Sequence, residues 1–214
     1  MLHKSIKFTY LLFIFVFAIT PVFAQNKQDP AAKKLLDQLS EKTKSYKNLY
    51  IDFKLSFDND EENIHQVNEG NLLTQHEMYI LNILGRKIIS DGKTIWTILT
   101  EDEEVQISDV SEDDEMNFTR MLTIYEKGFD YQMGEKVDRT QNIKLFPQDK
   151  ESAVHQILLT IDLDKMQIVS LVEMGKNGTN TSYTINNFRS DFDKETQFSF
   201  NESEYPDFDV IDMR

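Results

Sequence analysis

The stretch Ile88-Ile89-Ser90-Asp91-Gly92-Lys93-Thr94-Ile95-Trp96 decides the fold, because it joins a hairpin turn to the only tryptophan of the chain. Asp91-Gly92 lies between two apolar runs. A type I′ turn needs φ > 0 at both central positions, which aspartate tolerates and glycine adopts freely. Such a turn sets a register: Ser90 opposite Lys93, Ile89 opposite Thr94, Ile88 opposite Ile95 and Lys87 opposite Trp96. Ile88 and Ile95 then project from one face and Trp96 from the other, so both faces carry large apolar groups.

The same alternation recurs on either side of this hairpin. Leu49, Ile51, Phe53, Leu55 and Phe57 alternate with Tyr50, Asp52, Lys54 and Ser56, which reads as a strand with one apolar face. Further strands are expected at Ile64 to Thr74, Met78 to Leu84, Glu104 to Val110, Asn142 to Phe146, Val154 to Leu163, Gln167 to Met174 and Ser182 to Phe188. With the two arms of the hairpin this makes about ten. Two amphipathic helices accompany them. Asp29-Pro30 supplies an N-cap and a first-turn proline for a helix running to about Lys47, with Ala32, Leu35, Leu36, Leu39 and Tyr46 at helical spacing. Phe118, Met121, Leu122 and Tyr125 share one face of a second helix, which Gly128 would stop. Consecutive strands joined by short turns imply an antiparallel meander that either closes or is covered by the helices. No linker or internal repeat divides the chain, so one domain over residues 25–214 is expected.

The first 24 residues read as a secretory signal. Lys4 and Lys7 precede an apolar run from Tyr10 to Phe17, too short to span a bilayer, and Ala24 ends a cleavage-like Val22-Phe23-Ala24. The chain has no cysteine, which removes disulfides, thiolate metal sites, a cysteine nucleophile and the lipid attachment point of a bacterial lipoprotein. The net charge of −14 repels nucleic acid and anionic membrane surfaces alike. The acidic clusters at Asp58 to Glu62, Glu101 to Glu104 and Glu112 to Glu115 read as solvated turns, since none has the glycine and ligand spacing of a calcium loop.

Catalytic signatures are missing. There is no Gly-x-Ser-x-Gly elbow, His-Glu-x-x-His, phosphate loop or dinucleotide-binding glycine pattern. His65, His76 and His155 lack metal-ligand spacing, and no cofactor is implied. The positive signal is apolar: 15 phenylalanines and 8 tyrosines, many on strand faces and helix stripes. A half-closed sheet lidded by helices encloses space suited to an apolar ligand.

Several segments, in order along the chain, resemble the periplasmic carrier that moves lipoproteins to the bacterial outer membrane, the LolA family, in its Bacteroidetes versions. These are Glu69-Gly70-Asn71-Leu72, Ser90 to Trp96, Leu145-Phe146-Pro147, Gln197-Phe198-Ser199-Phe200 and the terminal Val210-Ile211-Asp212-Met213-Arg214. The resemblance implies a mainly β protein with α, an unclosed antiparallel β-barrel covered by a lid of amphipathic helices. Its interior would receive acyl chains of lipoproteins handed over by an inner-membrane lipoprotein-releasing transporter and passed to an outer-membrane acceptor, the carrier itself being a monomer.

The strand faces supply the cavity candidates: Phe53, Leu55, Phe57, Tyr79, Leu81, Ile83, Ile88, Ile95, Ile157, Leu159 and Ile161. Trp96 is assigned to structural packing. Leu35, Leu36, Leu39, Leu122 and Tyr125 are the lid candidates. Where many members carry a basic residue and proline after the Gly-x-Leu strand, with an arginine that helps hold the lid shut, this chain has Gln75-His76-Glu77. His76 is the candidate replacement donor, with Arg86 and Arg120 as substitutes, though an always-charged forked donor is missing at that place. Two other readings are a lipid-binding sensor of similar fold, which would carry a further C-terminal domain, and a small secreted hydrolase.

Overall fold

The computed structural model describes residues 28–110, 128–193 and 196–214. One α-helix, α1 (Pro30–Lys44), precedes β1 (Leu49–Asn59), β2 (Ile64–Gln75), β3 (Met78–Ile83), β4 (Arg86–Ser90), β5 (Thr94–Leu99) and β6 (Glu104–Asp109). After the undescribed residues 111–127 come β7 (Phe129–Val137), β8 (Thr140–Pro147), β9 (Val154–Asp162), β10 (Gln167–Gly175), β11 (Asn180–Ser190) and β12 (Asp209–Asp212). They form one sheet in the order β12-β6-β5-β4-β3-β2-β1-β11-β10-β9-β8-β7. The two edges, β12 and β7, do not meet, so the sheet is an open half-barrel rather than a closed one. The expected second helix, with Leu122 and Tyr125, lies outside the described residues.

Twelve strands replace the expected ten. The two additions are the sheet's edges. β7 alternates weakly, with Gly134 in its run and a register shift between Met133 and Lys136. β12 pairs in parallel with β6, a partner that no local turn announces.

Asp29 caps α1 as expected, accepting from the backbone N–H of Ala31 at 2.8 Å and of Ala32 at 3.3 Å. The helix stops at Lys44, short of the expected end. There the Ser45 hydroxyl donates to the Lys42 carbonyl at 2.7 Å, a local bond that competes with continuing the helix. Tyr46 is drawn off the helical path, edge-on to Phe188 at 5.6 Å.

The hairpin register differs from the expected one. Ser90 faces Ile95, Ile89 faces Trp96, Ile88 faces Thr97 and Lys87 faces Ile98. The turn is centred on Gly92-Lys93 rather than Asp91-Gly92, with positive φ at Gly92 (90°) only. The cause is the aspartate side chain. Its carboxylate accepts from the N–H groups of Lys93 and Thr94 at 2.8 Å each, which leaves Asp91 at negative φ as the last residue before the turn. Every partner moves by two residues, so the assignment of faces survives: Ile88 and Ile95 still share a side, opposite Trp96. The type I′ turn occurs instead at Leu84-Gly85, where φ is 50° and 73°.

Two cores result. The concave face and α1 enclose the larger one. On the convex face Ile89, Ile98 and Val105 form a second cluster, joined by Ile80, Trp96, Phe200, Tyr205 and Phe208. The C-terminal segment thus straps the outside of β4, β5 and β6, and Trp96 packs there.

Candidate functional site: the concave apolar face

Period-two alternation aims one side chain of each pair into the concave face. From β1 these are Leu49, Ile51, Phe53 and Leu55; from β3, Tyr79, Leu81 and Ile83; from β4 and β5, Ile88 and Ile95; from β9, Ile157, Leu159 and Ile161. All are buried and belong to one contiguous cluster. Of the cavity candidates only Phe57 stands apart, partly buried at the margin. Leu72, Tyr131, Ile143, Leu145, Ile168 and Leu171 complete the lining and were not among the candidates. Ile143-Lys144-Leu145 carried the alternation that could have identified two of them. Tyr131 belongs to the unexpected β7.

The helix α1 closes this face. Ala32, Leu35, Leu36 and Leu39 are 0 to 9% exposed and lie in the same cluster. Bonds to the described sheet hold both of its ends, and Ser40 and Lys44 within it are engaged as well. At the start, the Asp29 N–H donates to the Tyr131 carbonyl at 3.1 Å, and the Met133 N–H donates to the Asp29 carboxylate at 3.2 Å. The Met133 N–H, then that of Ala31, hold the Asp29 carboxyl below its ordinary 3.8 against the opposing effect of burial. At the far end, the Asn48 amide donates to the Phe192 carbonyl at 2.8 Å and its oxygen accepts from the Phe192 N–H at 3.0 Å. The Lys47 N–H donates to Asp191 at 2.8 Å. Between these clasps, the leucine stripe of the helix lies on the sheet.

The lining offers little polar chemistry. Tyr183, whose ring lies 6.4 Å from that of Phe53, is pushed up to about 12 by burial and by the charge of Glu173, so it stays a neutral phenol. Among the described residues no group of three or more His, Cys, Asp or Glu is placed to hold a metal. His76 sits exposed in the β2–β3 turn at φ 55° and makes no hydrogen bond to a described residue. Arg120 lies outside the described residues. Arg86 borders a recess of about 500 Å³ that the cavity candidates Phe53 and Ile83 line together with Asp52, Asn71, Asn82 and Lys87. The rest of the concave face is packed with buried apolar side chains. The candidate site is therefore an apolar face with α1 packed on it.

Residues 75–186, just over half of the chain, match the family model for outer membrane lipoprotein carrier protein LolA. No curated protein matches the chain. Among solved structures, an uncharacterized conserved protein from Thermus thermophilus is similar at 10% identity and TM-score 0.55, over 85% of this chain and 99% of that one. The Mycobacterium tuberculosis lipoprotein LppX gives 14% identity and TM-score 0.47, over 78% of this chain and 100% of its own. A LolA superfamily protein from Nitrosomonas europaea gives 11% and 0.44, over 79% and 97%. At these identities the first likeness speaks for the fold.

Proposed function

This chain belongs to the outer membrane lipoprotein carrier protein LolA family, and from that premise we propose that it is an exported carrier of lipoproteins across the periplasm. Its first 24 residues are the export signal, and residues 25–214 are one carrier domain whose concave face takes acyl chains. It receives cargo from an inner-membrane releasing transporter and yields it to an outer-membrane acceptor. The activity is binding and transfer, without turnover.

One observation carries the reading: the leucine stripe of α1 covers the apolar concave face of an open sheet. Burying Leu35, Leu36 and Leu39 is worth about 6 kcal/mol at roughly 2 kcal/mol each. An acyl chain of about 16 carbons, at roughly 0.8 kcal/mol per CH₂, gains on the order of 10 kcal/mol by leaving water. A chain of that length can thus replace the helix, and the helix reclaiming its place returns much of the energy at release. Leu122 and Tyr125 are the second part of this lid.

The test is to incubate the purified mature protein with spheroplasts and follow newly made lipoproteins. They should appear in the soluble fraction bound to the protein. If none is released while a control member of the family releases them, carriage is refuted.

A further inference from the structure

The recess beside Arg86 carries both signs of charge in a chain whose net charge is −14, and the sheet register orders them. Asp52 of β1 stands opposite Asn71 of β2, Asn71 opposite Asn82 of β3, and Asn82 opposite Lys87 of β4. The four side chains therefore form one row across four strands. Asp52 and Glu69 border the recess from β1 and β2, and Arg86 and Lys87 border it from β4. Lys54, opposite Glu69, lies outside the lining. Gly70 and Gly85 add backbone without side chains, which helps keep about 500 Å³ open.

The middle of the row is an amide pair with bonding capacity to spare. The Asn82 side-chain N–H donates to the Asn71 side-chain oxygen at 2.8 Å, which uses one donor and one acceptor. The Asn71 side-chain NH₂ and the Asn82 side-chain oxygen make no hydrogen bond to a described residue. Together they present a donor beside an acceptor, a pattern that a peptide unit completes. At the acidic end, Asp52 accepts from the Asn187 amide at 2.9 Å, and a carboxylate has further acceptor sites. At the basic end, the Lys87 ammonium donates to the Tyr205 hydroxyl at 3.4 Å. Arg86 makes no hydrogen bond or ion pair with a described residue, and its planar fork matches a carboxylate.

We propose that this recess binds a short zwitterionic peptide, with its ammonium group at Asp52 and Glu69, its amide units on Asn71 and Asn82, and its terminal carboxylate at Arg86. Three strand spacings of about 4.8 Å set β1 and β4 about 14 Å apart, and an extended chain rising about 3.4 Å per residue covers that span with about four residues. Other ligand classes fit less well. A polyanion such as a nucleotide meets the like charges of Asp52 and Glu69. A sugar ring finds no open aromatic face, since Phe53, the one aromatic residue of the lining, is 1% exposed. The inference is independent of what the concave face carries.

The probe is tetra-alanine, titrated into the mature protein and followed by amide chemical shifts. Ion pairs in contact with water contribute little each, so a dissociation constant of about 0.1 to 1 mM is expected. Affinity should rise from di- to tetra-alanine as the two ends come to span the row. Acetylating the amino end or amidating the carboxyl end should each weaken binding about tenfold. Arg86→Gln should weaken tetra-alanine by a similar factor and leave the amidated peptide unaffected, a split that a merely structural role of Arg86 would not produce. Asn82→Leu should weaken every form, with unchanged circular dichroism. Shifts that stay in place up to about 10 mM peptide, capped peptides that bind as well as the free one, or an Arg86→Gln or Asn82→Leu protein that binds all forms like wild type would overturn the proposal.

Discussion

Leu39→Ala should loosen α1 while leaving the sheet intact. Leu39 is fully buried in the concave cluster, and truncating such a leucine costs about 2 to 5 kcal/mol where the surroundings cannot collapse. A single helix lying on the face of a sheet can settle into part of the gap, so a loss near the lower bound, about 2 to 3 kcal/mol, is expected. If α1 opens as a unit of its own, that loss falls on the opening equilibrium. Amide exchange of residues 32–44 should then accelerate roughly 30- to 150-fold. The urea midpoint should shift less than for Leu159→Ala, which deletes an equally buried side chain in β9. Hydrogen exchange read by mass spectrometry resolves the two segments. If Leu39→Ala lowers the urea midpoint as much as Leu159→Ala, with α1 and β9 amides speeding up together, the helix is an integral part of the cooperative core. The lid argument then fails.

Asp29→Ala should cost α1 roughly 1 kcal/mol of cap stability and release the bond from Met133. The Asp29 carboxyl is held below 3.8 in the folded chain, so its contribution is complete above that value and disappears as pH falls through the lowered one. The gap in α1 protection between wild type and Asp29→Ala should therefore narrow with acidification; a constant gap would show that the charge is irrelevant. Gly70→Ala should destabilise the sheet by about 1 to 3 kcal/mol, since a methyl group there would lie 2.5 Å from the Phe53 ring and 2.9 Å from the Asn82 carbonyl. An unchanged urea midpoint would contradict that contact. Phe208→Ala should red-shift the emission of Trp96, the only tryptophan, by opening the outer cluster. An acyl ligand on the concave face should leave that emission in place, and a shift on lipid binding would put the ligand on the wrong side of the sheet.

Most strands were legible because alternation is a property of the pleated backbone itself. Leu49 to Phe57 could bury one face only by adopting period two, and Ile88, Ile95 and Trp96 were sorted to their correct sides although the turn was centred one residue early. A displaced turn centre moves cross-strand partners by two residues and preserves parity. The cap at Asp29-Pro30 was legible for the same local reason.

The edges were not. β12 owes its existence to β6, where the Asp209 N–H donates to the Glu103 carbonyl at 2.9 Å and the Met213 N–H to the Ile107 carbonyl at 2.8 Å. Val210 and Ile211 announce no such partner. β7 likewise depends on β8 and on the clasp from Asp29. The sequence by itself therefore determined the ten inner strands and the side each residue in them faces, which rest on alternation within a few neighbours, and the family, which rests on the order of several motifs along the chain. Only the tertiary structure decided the hairpin register, the two edges, the strap over Trp96 and the occupation of the concave face by the leucines of α1. Those depend on which distant groups compete for the same hydrogen bonds and the same apolar surface.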